Sequence, residues 1–130
     1  MLYQMKIKKE IRDKREMEIT MGDIGCAHYD TGDYKKATEY LEKSLSIQKE
    51  IDLKAIELET TTYLYLSYKH LGKDYDEQNI HSLIKDAENI EFELSFRLYK
   101  LLEDKSYLET AYNQVQEKAD NLEPNIAAKF

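Results

Sequence analysis

The chain has 130 residues, 35% of them charged and 42% apolar, with four glycines, one proline and a formal net charge of −7. That length holds one domain, and the composition is too apolar for a disordered acidic tail and too polar for a membrane protein. An all-β domain of this size spends more glycine and proline on tight turns, so a mostly helical, all-α chain is expected.

The expected elements follow in chain order. Residues 2–12 read as a first helix, with Leu2, Met5, Ile7 and Ile11 as its apolar positions. Residues 15–30 read as a second, broken by Gly32-Asp33. A third spans 34–51, with Tyr34, Ala37, Leu41, Ser44, Leu45, Ile47 and Ile51 at three- and four-residue spacing. A fourth spans 55–70 and ends at His70-Leu71-Gly72, where the glycine can take a left-handed cap. Asp74-x-x-Glu77 resembles a capping box and opens a fifth helix, to about Asn89. A sixth covers 92–103, and the capping box Ser106-x-x-Glu109 opens a seventh, reaching about Leu122 before Pro124. No credible strand remains, although Thr60-Thr61-Thr62-Tyr63 has a β propensity that packing must override.

An internal repeat runs through this pattern. Shifted by forty residues, Lys9-Glu10-Ile11 falls on Lys49-Glu50-Ile51, Ile7 on Ile47, Lys14 on Lys54 and Thr20 on Thr60. Ile24 falls on Leu64, His28 on Tyr68 and Gly32 on Gly72 in the same register. A period near forty in a helical chain is the mark of stacked helix pairs.

Met21-x-x-Ile24-Gly25-x-x-His28, then Gly32-Asp33-Tyr34, then Ala37-x-x-x-Leu41-x-x-Ser44-Leu45 resembles the tetratricopeptide repeat. Gly25 and Ala37 are small where paired helices approach; Ile24, Tyr34, Leu41 and Leu45 fill the space between them. The next unit is looser: Thr61-x-x-Leu64-Tyr65-x-x-Tyr68 and Gly72 match, with Tyr65 in place of the small residue, followed by Ile80-x-x-x-Ile84-x-x-Ala87. From Gly72 to Ile80 is three residues longer than from Gly32 to Ala37, so the second loop is longer. The last pair keeps only Tyr107 and Ala111-x-x-x-Val115-x-x-x-Ala119.

The resemblance implies a right-handed superhelix of antiparallel helix pairs, a short α-solenoid of about seven helices. Within one domain over 1–130, it implies a half repeat at 2–12, repeats at 15–51 and 55–90, and a degenerate repeat or cap at 92–122. The unit resembles the forty-residue version of the repeat found in bacterial signalling proteins. Two stretches, one beginning at Leu64 and one at Tyr107, resemble the ends of arrays attached to nucleotide cyclases. No cyclase residues accompany them, so no catalytic role is implied.

In such arrays the first helix of each pair lines a concave groove that receives a peptide. The resemblance places Ile19, Gly22, Asp23, Cys26, Tyr29 and Asp30 there from one repeat. From the next it places Glu59, Thr62, Tyr63, Leu66, Lys69 and His70. One relative grips a peptide's terminal carboxylate with lysine, asparagine and arginine at these sites. Here Asp23, Asp30 and Glu59 stand instead, which favours a basic or mixed apolar segment. Among the tyrosines, Tyr65 and Tyr68 share a helix face and read as core, whereas Tyr63 and Tyr29 read as partner contacts.

Other chemistries find little purchase. The densest basic stretch, Lys6 to Arg15, is interleaved with Glu10 and Asp13 and followed by Glu16 and Glu18, which describes a solvated helix face rather than a nucleic-acid surface. Cys26 is the single cysteine and cannot form an internal disulfide; it reads as a small packing residue. No apolar run approaches the roughly 18 residues of a membrane span, and no leader pattern is evident, so a cytoplasmic location is expected. His28, His70 and His81 lack the spacing of a metal pair, and no phosphate loop or nucleophile elbow occurs. His81-Ser82-Leu83-Ile84-Lys85 faintly resembles a phosphotransfer histidine, but the lysine is one residue late and no glycine follows. The expectation is a non-catalytic scaffold without cofactor that binds a protein or peptide. Self-association into a homodimer and a regulatory role within a larger signalling protein stand as alternatives.

Overall fold

The computed structural model describes residues 2–121, which form six α-helices and no strand. None of these helices is long and apolar enough to cross a membrane. The chain divides into two compact units, Met1–Ala87 and Glu88–Phe130. The first holds α1 (Leu2–Asp30), α2 (Tyr34–Glu50), α3 (Lys54–His70) and α4 (Glu77–Asp86). The second holds α5 (Phe92–Leu102) and α6 (Lys105–Asp120).

One continuous helix replaces the two expected over 2–12 and 15–30. The reason is local. Asp13 and Lys14 carry no glycine or proline between them, so nothing removes a backbone donor or favours a left-handed residue. Lys14 pairs with Glu50 and Arg15 with Glu18, contacts that a turn at this point would break. The six described helices therefore stand against the seven expected. The start of the fifth also shifts. Asp76, not Asp74, caps α4, its carboxylate accepting from the Asn79 N–H at 3.2 Å. Likewise Asp104 rather than Ser106 caps α6, accepting from the Ser106 N–H at 2.9 Å. Asp76 stands nearer its helix than Asp74, whereas Ser106 already lies inside α6 and Asp104 stands just before it; in both cases the residue immediately before the helix is the cap. Leu122 and Pro124, the expected end of the last helix, lie outside the described residues.

The forty-residue period reappears as geometry. The Gly32 N–H donates to Tyr29 O at 3.1 Å and the Asp33 N–H to His28 O at 2.9 Å. Forty residues on, Gly72 donates to Lys69 O at 3.1 Å and Lys73 to Tyr68 O at 2.8 Å. Both glycines sit at positive φ, +86° and +71°, so α1 and α3 end in the same left-handed cap. The end of α2 makes the same two bonds through Asp52, at φ 58°, where no glycine is available.

The core of the first unit lies where α2 packs against α1 on one side and α3 on the other. Ala37 and Leu41 are wholly buried, and Leu58, Leu64 and Leu66 are nearly so. A Cβ on Gly25 would stand 2.7 Å from Leu41 Cγ, so the glycine permits the closest approach of α1 and α2. Ile80 of α4 is wholly buried, as Ala37 is, and α4 starts five residues after Gly72 where α2 starts two after Gly32. The longer second loop read from sequence is present. In the second unit α5 and α6 form a hairpin through Glu103, at φ 57°. Ser95, Leu98, Leu101 and Ala111 are buried there, whereas Val115 of the expected apolar row is 48% exposed.

Candidate functional site

A cleft of about 210 Å³ opens between α1 and α3, with α2 as its floor. The helix directions produce it. Tyr29 and His70, near the ends of α1 and α3, meet with their rings 6.0 Å apart, and both meet Tyr34 at the start of α2. So α1 and α3 run side by side and α2 runs back beneath them. Tyr34 stacks flat on His70 at 4.1 Å, and Tyr29 meets Tyr63 edge to face at 5.3 Å. Of this aromatic cluster, Tyr63 lines the cleft.

The floor is polar and buried. Glu18 on α1 is 2% exposed and Gln48 on α2 is 2% exposed. The Glu18 carboxylate accepts from Arg15 at 2.6 Å and from the Gln48 Nε2 at 3.0 Å. Gln48 Nε2 also lies 2.8 Å from the Thr60 hydroxyl on α3, and Ser44 donates to the Glu18 main-chain carbonyl at 2.8 Å. One network thus ties all three helices. Its one open valence is the Gln48 carbonyl oxygen, which is buried and accepts from no donor.

The residues expected to line a groove divide into three groups. Ile19, Gly22, Asp23, Cys26, Glu59 and Tyr63 do line the cleft. Tyr29 and His70 belong to the aromatic cluster, with Asp30 and Lys69 exposed beside them. Thr62 and Leu66 are corrections: they are 0% and 2% exposed, and the Thr62 hydroxyl donates to Leu58 O at 2.6 Å. They share the side of α3 that carries Glu59, three and seven residues further on, so that side is open at Glu59 and covered toward the end of the helix. Tyr63, read as an exposed contact, is 8% exposed and presents only part of its ring to the cleft.

Of the two tyrosines read as core, Tyr65 is buried and Tyr68 is half-buried. Tyr65 is 8% exposed, accepts from Asn79 Nδ2 at 2.9 Å and stacks on Tyr75 at 5.0 Å. Tyr68 donates to the Glu42 carboxylate, and burial together with that carboxylate holds its phenol well above the usual tyrosine range. His28 stacks on Tyr40 at 5.7 Å, a packing role. His81 is exposed on α4, and no group of three or more potential metal ligands occurs among the described residues.

Glu18 and Gln48 were missed by the sequence reading, yet a signal was present. Glu18 lies seven residues after Ile11 and seven before Gly25, on the stripe that α1 buries. Gln48 lies seven after Leu41 and four after Ser44, on the buried stripe of α2. Polar residues on an apolar stripe of two facing helices call for each other. No family model, no curated protein and no solved structure gives a significant match to this chain.

Proposed function

We propose that the chain is a non-catalytic interaction scaffold of the tetratricopeptide type, a short right-handed stack of helix pairs that receives a basic or mixed apolar segment of a partner protein in the α1–α3 cleft. The observation that carries the reading is the cleft itself: Asp23 and Glu59 at its wall, Tyr63 beside them and the Glu18 carboxylate beneath. The matching caps at Gly32 and Gly72 support the repeat, because two turns of identical bonding forty residues apart set α1 and α3 side by side. Electrostatics support the sign of the ligand, since carboxylates outnumber the single Arg15 guanidinium around the opening. Recognition here needs shape and charge and no chemistry.

The test is a peptide array of graded charge probed with the labelled protein. Selection of basic, apolar-containing peptides is expected, with binding weakened at least tenfold by Asp23→Asn or Glu59→Gln at unchanged thermal stability. Both carboxylates are exposed, so neither substitution disturbs packing. An array without selection, or selection indifferent to both substitutions, would refute the reading.

A second reading rests on a separate observation. The first three turns of α1 are exposed throughout, with Leu2 at 86%, Tyr3 at 75%, Met5 at 66% and Ile11 at 50%. Tyr3, Ile7 and Ile11 continue the stripe that α1 buries further on. An apolar helix face of that kind suits self-association. Sedimentation equilibrium decides: a concentration-independent monomer removes this reading and leaves the first intact.

A further inference from the structure

The α5–α6 hairpin carries a groove of its own, of about 540 Å³. Two helical rows form it. α5 supplies Phe92 and Phe96, one turn apart, and α6 supplies Leu108, Tyr112 and Val115. Ala111, which is buried, also lines it. The large side chains stand open: Tyr112 is 63% exposed, Val115 48% and Phe96 41%. Apolar surface of this size in contact with water is unfavourable, and gathered into one recess it marks an interaction surface.

Shape selects the form of the occupant. Side chains at three- and four-residue spacing on two neighbouring helices make the surface against which a third helix packs. An extended segment finds no sheet edge to join, since no strand occurs among the described residues. Charge selects the sign. Lys100 Nζ lies 4.7 Å from the centre of the Phe96 ring, and Lys118 Nζ 4.7 Å from that of Phe92. Glu93 and Arg97 of the lining offset each other, and Glu109 faces a separate hollow beside Leu108 and Tyr112. The two ammonium groups therefore leave the groove cationic, in a chain whose net charge is −7. That sign disfavours a second copy. The exposed first turns of α1 bear Lys6, Lys8, Lys9 and Arg12 against Glu10, and a second α5–α6 groove brings its own Lys100 and Lys118. Either would set like charge against like.

We propose that the α5–α6 groove receives an acidic amphipathic helix of a partner protein, its apolar side on Phe92, Phe96, Tyr112 and Val115 and its carboxylates at Lys100 and Lys118. The proposal is independent of the α1–α3 cleft.

The probes are three fluorescently labelled peptides of about 14 residues, four helical turns each. The first carries a stripe of leucines flanked by glutamates in an alanine background. The second has lysine for every glutamate. The third keeps the composition of the first in an order that breaks the stripe. Binding to the full chain is read by anisotropy. The first peptide is expected to bind saturably, and the other two at least tenfold more weakly. Tyr112→Ala should weaken the first at least fivefold and Lys118→Glu at least threefold, at unchanged helical circular dichroism; both residues are exposed. Lys35→Glu, the same charge change at an exposed site on α2, and Asp23→Asn in the α1–α3 cleft should leave it within twofold. Lys100→Glu together with Lys118→Glu should turn the preference toward the lysine peptide. Equal binding of the glutamate and lysine peptides would overturn the proposal. So would binding indifferent to Tyr112→Ala, or none at millimolar peptide. A wild-type dimer that Tyr112→Ala dissociates would overturn it too, by putting a second copy in the groove.

Discussion

Gly25→Ala is the sharpest probe of how the first unit is held together. The added methyl carbon would sit 2.7 Å from Leu41 Cγ, 2.9 Å from Leu41 Cδ2 and 3.2 Å from the Leu41 main-chain nitrogen. Leu41 is wholly buried, so its side chain has nowhere to retreat without moving α2. Overpacking of this sort costs about 1–3 kcal/mol, and the better helix propensity of alanine returns about 1 kcal/mol. The net expectation is a loss of about 1 kcal/mol. Gly22→Ala, one turn earlier on the same helix, is the internal control. Its methyl would meet only the Ser44 side chain, Oγ at 3.2 Å and Cβ at 3.9 Å, and the propensity gain is the same. The control should lie near the wild type, leaving Gly25→Ala lower than Gly22→Ala by about 1–2 kcal/mol. Urea unfolding followed by helical circular dichroism measures both. In a thermal scan each kcal/mol appears as about 4–8 °C for a domain of this size. Introducing Gly25→Ala into a Leu41→Ala background removes the two closest contacts, so the penalty should vanish there and the pair should couple by about 1–2 kcal/mol. Equal stability of the two glycine variants, or an unchanged penalty in the Leu41→Ala background, would refute the close-approach argument.

Three further outcomes are expected. Gln48→Glu sets a second carboxylate beside the buried Glu18 and should cost about 3 kcal/mol at neutral pH. Because one carboxyl of the pair keeps its proton only in the fold, that loss should shrink as pH falls toward about 4, seen as a midpoint that rises on acidification. Asp52→Gly should stabilise the first unit by about 0.5–1 kcal/mol in urea unfolding, since the residue sits at φ 58° where a side chain is strained. Tyr68 should resist alkaline ionisation. Its phenol pKa is raised in the fold, by burial first and then by Glu42, so stability is complete below the unfolded value near about 10 and is lost as pH rises above it. Tyr68→Phe should flatten that alkaline loss, and one fewer tyrosinate should then appear late in a spectrophotometric titration.

Much of the first unit was legible before any coordinates. Period and punctuation are local properties. Gly32 and Gly72, each just after a helical run, can take positive φ at no steric cost, and a three- and four-residue apolar spacing is satisfied by a helix with one buried side. That is why α2, α3 and the two caps stood where expected, and why the longer loop before Ile80 could be counted from spacing alone. Elements lacking punctuation were less legible. The expected break after residue 12 had no glycine or proline behind it, and α1 runs through. The capping boxes at Asp74 and Ser106 lost to aspartates at 76 and 104, because a cap is chosen by which carboxylate reaches a free N–H, a matter of ångströms.

By itself, then, the sequence determined the helical class, the forty-residue period, the positions of the turns and the acidic character of the candidate groove. Each follows from local conformational preference or from composition. Only the tertiary structure decided where along one side of α3 the helix is covered, and hence that Thr62 and Leu66 are buried while Glu59 is exposed. It alone brought Glu18, Gln48 and Thr60 together from three helices into one network. It also left the buried Gln48 carbonyl without a donor, because whether a buried acceptor finds one depends on neighbours distant in the chain.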